Sequence, residues 1–159
     1  MFQKSISALK IKGVLINISN GAKHKPPCGL ILQKTIIKNL PTRQIDLIIT
    51  YSPKGKQARY PKDIGKSVII LWHEHKISTN GLWCFAYQDE NQSFYPRAII
   101  GADFYYPLHD LVVRAKHKLL NKIYGIGLNS KKMLNCPSTE AFWSFTTSSK
   151  AFHWLNRTT

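Results

Sequence analysis

The sequence predicts an α+β fold: a largely antiparallel sheet of about six strands, followed by one long basic amphipathic helix and short C-terminal helices. Three observations point there. Up to Ile100, apolar residues alternate or run together in short β-branched stretches, and turn residues separate those stretches at close intervals. After Pro107 a repeat of three and four residues replaces the alternation. With 159 residues, 43% of them hydrophobic, the chain reads as a single domain, 1–159, whose core needs no covalent staples.

The elements follow in order. Leu9 to Ile18 alternates about a phase shift at Gly13, which predicts a bulged strand ending at the Asn20-Gly21 turn. Lys23 to Pro27 extends that turn into a basic loop. Gly29 to Ile37 reads as a second strand and Gln44 to Ser52 as a third, rich in β-branched residues. Ser52 to Gly65 has Pro, Gly, Lys and Arg throughout and no period, so it reads as a long loop. Ser67 to Lys76 is expected to be the fourth strand, with Asn80-Gly81 as a hairpin turn into a fifth, Leu82 to Tyr87. Ser93 to Ile100 is the sixth, with Pro96 favouring an edge position. Links this short imply an antiparallel meander from Ser67 to Ile100.

Leu108, Leu111, Val112, Ala115, Leu119 and Ile123 then form the stripe of an amphipathic helix. Pro107 suits its first position, Asp110 its positive end, and Gly125 its stop. The stripe is expected to pack on the sheet, leaving a basic face outward. Ser138 to Phe145 and Lys150 to Leu155 read as the short C-terminal helices.

Charge narrows the function. Lys and Arg number 23 against 8 Asp and Glu, a net +15, and no acid precedes Asp46. Such a surplus attracts polyanions, and the basic residues form clusters of the kind that meets phosphates. One is Lys54, Lys56, Arg59, Lys62 and Lys66; another is Arg114, Lys116, Lys118 and Lys122; Arg97 lies between them. The expected partner is nucleic acid, DNA ahead of RNA. An adaptor that binds an acidic protein would carry the same charge.

Cys28, Cys84 and Cys136, odd in number and without C-x-x-C spacing, argue against a disulfide framework and for a reducing cytoplasm. No apolar run approaches a membrane span, so no membrane partner is expected, and the first residues lack a secretory h-region. Oligomeric state has no signature in the sequence.

Two patterns carry candidate chemistry. Pro61-Lys62-Asp63 followed by Glu74-His75-Lys76 resembles the active-site pattern of the PD-(D/E)xK nucleases. On a strand, Glu74 and Lys76 share a face. The resemblance implies that Asp63 and Glu74 hold Mg²⁺ while Lys76 orients the nucleophile, and that the reaction is hydrolysis of a DNA phosphodiester. No cofactor is implied outside that reading. His73 and His75 offer an alternative metal pair, with His109, His117 or Cys84 as a third ligand. That pair also resembles the His-hydrophobic-His motif of single-strand nicking and transposing enzymes, which implies Tyr105, Tyr106 or Tyr124 as nucleophile.

Aromatics supply a third pattern. Trp83, Phe85 and Tyr87 alternate, and Phe94, Tyr95, Phe104, Tyr105 and Tyr106 follow. On an open sheet they make a stacking platform for unpaired bases; under the long helix they are core. The core reading is the expected one.

Overall fold

The computed structural model describes residues 29–54, 59–88, 97–98, 101–127, 129–130 and 138–157. In chain order these form α1 (Gly29–Asn39), β1 (Ile48–Thr50), α2 (Arg59–His73), β2 (Leu82–Phe85), β3 (Tyr87–Gln88), β4 (Arg97–Ala98), β5 (Phe104–Pro107), α3 (Asp110–Tyr124), β6 (Thr139–Phe145) and α4 (Ser148–Asn156). The class is α+β as expected, but the sheet is not. It has four strands in the order β1-β2-β6-β5, and it is mixed. β1 and β2 run parallel, while β6 is antiparallel to both β2 and β5. β3 and β4 pair separately as a two-stranded ribbon.

The largest departure is α2, which replaces the expected strand Ser67–Lys76 and takes in the second half of the expected loop Ser52–Gly65. The run Ser67-Val68-Ile69-Ile70-Leu71-Trp72 lacks a period because most of it is buried. Ser67, Val68, Ile69, Leu71 and Trp72 are all inside, packed among α1, α4 and the sheet. A helix enclosed on most sides shows continuous hydrophobicity, which a short run of residues cannot distinguish from a buried strand. Pro61 is tolerated because it sits in the first turn, where an N–H would have no intrahelical partner. Of the expected Ser67–Ile100 meander, the antiparallel pairing of β3 with β4 is present, and the pairing that needed Ser67–Lys76 as a strand is not. The Asn80-Gly81 pair links a helix to a strand instead of closing a hairpin: Asn80 N donates to Ile45 O at 2.9 Å, and Ile48 N donates to Gly81 O at 3.0 Å. α2 is therefore the crossover that two neighbouring parallel strands require.

α1 likewise replaces the strand expected at Gly29–Ile37. Leu32, Ile36 and Leu40 recur at four-residue spacing; Leu32 is buried, and Ile36 and Leu40 pack against the main core. Of the strand expected at Gln44–Ser52 only Ile48–Thr50 is regular, preceded by a parallel bridge between Ile45 and Thr79. The expected helix at Ser138–Phe145 is the strand β6, held in the middle of the sheet by β2 on one side and β5 on the other. The strand expected at Leu9–Ile18 lies outside the described residues. So does most of Ser93–Ile100, of which Arg97 and Ala98 form β4.

Two expected helices are present. Lys150–Leu155 falls within α4, which Thr147 caps by accepting from Lys150 N. The long helix is α3, and Gly125 ends it in the left-handed conformation at φ 66°. Pro107 is not its first residue, however. Pro107 closes β5 opposite Thr139, and the His109 imidazole caps the helix by accepting from Leu111 N at 3.3 Å.

The core lies between α2, α4 and one face of the sheet, to which β2 contributes Leu82 and Cys84 and β6 contributes Phe145. Close approach fixes the seat of α2. A Cβ at Gly65 would fall inside the van der Waals shell of the Tyr51 carbonyl oxygen and lie 3.2 Å from Pro53 Cδ. Backbone cannot yield as a side chain can, so Gly65→Ala should cost about 1–3 kcal/mol despite the better helix propensity of alanine. Urea unfolding would show this as a lower midpoint; an unchanged or higher midpoint contradicts the seat.

Candidate nucleic-acid interface

Strand alternation divides the sheet into two chemically different faces. Leu82, Cys84 and Phe145 point toward α2 and α4. The register Ile49↔Trp83, Phe85↔Phe142, Phe104↔Phe142 and Tyr106↔Glu140 puts Trp83, Phe85, Phe104, Tyr106 and Phe142 on the other face. Tyr51 joins them, its ring 6.4 Å from that of Phe85. Trp83 lies 5.2 Å from both Phe104 and Phe142, and Phe85 lies 5.2 Å from Phe142, all tilted. These are favourable aromatic geometries. Phe142 is buried in the middle at 7% exposure, whereas Tyr51 (46%), Phe104 (37%) and Tyr106 (57%) are open. The expected packing of these rings under the long helix is therefore not what these outer rings show.

α3 is turned from its expected phase. Leu111, Val112 and Ala115 of the expected stripe are exposed, while Leu119 and Ile123 join Val113, Lys116, His117 and Leu120 on the half-buried side. Lys116 Nζ reaches Glu140 Oε1 at 2.7 Å, pinning α3 to the β6 residue that pairs with Tyr106. Arg114, Lys118 and Lys122 lie on the exposed side of the same helix. Three of the four basic residues nominated on this helix thus face outward, and the fourth is engaged in an ion pair.

The other basic candidates are dispersed. Lys62 and Lys66 stand one turn apart on α2, Lys66 exposed and Lys62 half-buried, while Arg59 opens the helix. Lys54 is committed elsewhere: its ammonium donates to Arg157 O at 2.7 Å and sits 5.2 Å from the centre of the Trp154 ring. Burial, and then the nearby Arg157, lower its pKa. Arg97 lies in β4, and Lys56 lies outside the described residues. Basic residues also occur on α1 (Lys34, Lys38) and α4 (Lys150).

The carboxylate pattern is not assembled by this fold. Asp63 lies in the second turn of α2 and Glu74 just past its end, with Glu74 N still donating to Ile70 O. Eleven helical positions separate them, about 16 Å of rise. Glu74 and Lys76 do not share a strand face either, because they belong to the cap of the helix. His75 N donates to Trp72 O at 3.2 Å and Lys76 N donates to Leu71 O at 2.9 Å, the paired bonds of a Schellman motif.

His75 occupies the left-handed position of that motif at φ 55°. His73 stacks on Phe152 of α4, ring centres 4.0 Å apart and nearly parallel. That places it on the helix-covered side of the sheet, away from Tyr106. The Tyr105 hydroxyl accepts from Ala102 N at 3.0 Å. Cys84 is fully buried, and burial pushes its thiol up to about 12, away from the thiolate a nucleophile needs. Among the described residues no three His, Cys, Asp or Glu side chains are grouped closely enough to share a metal ion. Nor is any helix among them long and apolar enough to cross a membrane.

Sequence reasoning nominated Trp83, Phe85, Phe104 and Tyr106 but missed Tyr51 and Phe142. The signal for Phe142 was present in Thr139-Glu140-Ala141-Phe142-Trp143-Ser144-Phe145, where aromatics fall in both phases of the alternation, as in a strand covered on both faces. Comparison of the chain with protein-family models, with curated proteins and with solved structures finds no match.

The cap and the ion pair each generate a prediction. A left-handed histidine is strained where glycine is not, so His75→Gly should stabilise the protein by about 1 kcal/mol and raise its melting temperature by about 2–4 °C. A fall in melting temperature contradicts the cap. Glu140 supplies a pH dependence. Its half-burial holds the carboxyl above the ordinary range. An acid with a raised folded-state pKa lends stability below its unfolded value and loses it as pH climbs through the folded one. As pH rises from about 4, unfolding measurements should therefore show Glu140→Gln gaining on the native protein. A gap that moves the other way refutes the raised value.

Proposed function

We propose that this chain binds nucleic acid, with DNA the expected polyanion, and holds it through phosphate contacts. The surplus charge carries the reading. Solubility alone asks for a net charge of roughly 2–8 on a small domain, and this chain has +15. Arg114, Lys118 and Lys122 support the reading because they project from the exposed side of one helix, at spacings suited to successive backbone phosphates. The nuclease reading required Asp63 and Glu74 on one ion, and the length of α2 between them favours binding over hydrolysis.

Binding of this kind releases counterions, so the logarithm of affinity should fall linearly and steeply with the logarithm of salt concentration. Filter binding with a labelled oligonucleotide in the presence of EDTA measures this directly. Replacing Arg114, Lys118 and Lys122 together by Gln should weaken binding to all sequences and flatten the salt slope by about one for each phosphate no longer neutralised. No retention of either DNA or RNA at modest ionic strength, or an affinity indifferent to salt, overturns the proposal.

A further inference from the structure

Resting on that reading, we infer that the ligand is a single strand and that its unpaired bases stack on the open aromatic face of the sheet, chiefly on Tyr106, Phe104 and Tyr51. The face is built in two tiers. Phe142, touched by the half-buried Trp83 on one side and Phe85 on the other, forms the bed. Tyr51, Phe104 and Tyr106 stand around that bed with 37–57% of their surface open. Tyr51 touches Phe85, Phe104 touches Trp83, and Tyr106 rests in turn on Phe104, contacts that lower the ordering cost when a flat ligand settles on them.

Charge identifies the occupant. An apolar protein surface would fit the rings alone, but the rings lie beside a basic helix on a protein of net charge +15. Glu140, the carboxylate that the register puts on this face, is neutralised by Lys116. The same ion pair ties the half-buried side of α3 to the Tyr106 end, while Arg114, Lys118 and Lys122 stand on the exposed side of that helix. An aromatic bed on a protein of this surplus charge matches a chain whose monomers are each a flat π-system on an anionic link. In a duplex the base faces are buried against one another, leaving only edges and phosphates to touch. Exposed rings on a flat sheet gain from unpaired bases and have little to offer paired ones.

Fluorescence anisotropy with a labelled single-stranded oligonucleotide, and with the duplex of the same sequence at the same salt, tests the inference. The single strand should bind more tightly than the duplex. Tyr106→Ala and Tyr51→Ala alter exposed positions, so circular dichroism should report an intact fold. Each should lose about five- to 150-fold in single-strand affinity. Tyr106→Phe, which keeps the ring, should bind as the native protein does, and the salt slope should be unchanged in all three variants because every cation is retained.

If neither form of the oligonucleotide binds, the nucleic-acid reading fails and this inference with it. If the duplex binds as well as the single strand, or the alanine variants keep native affinity while the Arg114, Lys118 and Lys122 variant loses it, base stacking alone is refuted. Phosphate binding then stands.

Discussion

The burial of α2 is the constraint from which the rest of this structure follows. A helix enclosed by α1, α4 and the sheet commits Val68, Ile69, Leu71 and Trp72 to one side of the molecule. It makes β1 and β2 parallel neighbours, since the chain has to cross over the sheet to reach β2. Gly65 lets the helix approach the end of β1 at backbone contact, and the stack of His73 on Phe152 locks α4 alongside. With both helices on one face, Leu82, Cys84 and Phe145 are absorbed into the core, and the alternate residues of the same strands are left on the opposite face. Trp83, Phe85 and Phe142 are among them, beside Glu140 and Ser144.

Parts of this architecture were legible in the sequence. α3 was, because its three-and-four spacing is long and because Gly125 is suited to a left-handed stop. The phase of α3 was not. The most apolar stripe includes Leu111 and Val112, but the side that packs includes Lys116, drawn inward by Glu140 from a strand that begins fifteen residues beyond the end of α3. α2 was illegible for a different reason. Enclosure erases periodicity, and a short run of Val, Ile and Leu satisfies the description of a buried strand as well as that of a buried helix.

Errors in the candidate site descend from that one ambiguity. Read as a strand, Glu74 and Lys76 share a face and His73 and His75 share the other. Read as the last turn and Schellman cap of a helix, Glu74, His75 and Lys76 close the helix end, and Asp63 is a helix length away. The aromatic pattern survived the change better because Trp83 and Phe85 really do alternate on a strand. Its full extent depended on pairing between distant segments, which brings Phe142 beside Phe85 and Phe104 and which no local pattern encodes.

The proposed division of labour separates affinity from ligand form. Cations on the exposed side of α3 would supply a long-range, salt-sensitive attraction, and the rings would supply a short-range preference for flat unpaired groups. The most direct test is an NMR titration of the folded protein with a single-stranded oligonucleotide, following ring and side-chain resonances on both faces of the sheet. The account predicts shifts at Tyr51, Phe104 and Tyr106 and along Arg114, Lys118 and Lys122, with Phe152 and Trp154 on the helix-covered face unmoved. Shifts confined to α1, α2 and α4, with the aromatic face silent, would contradict it.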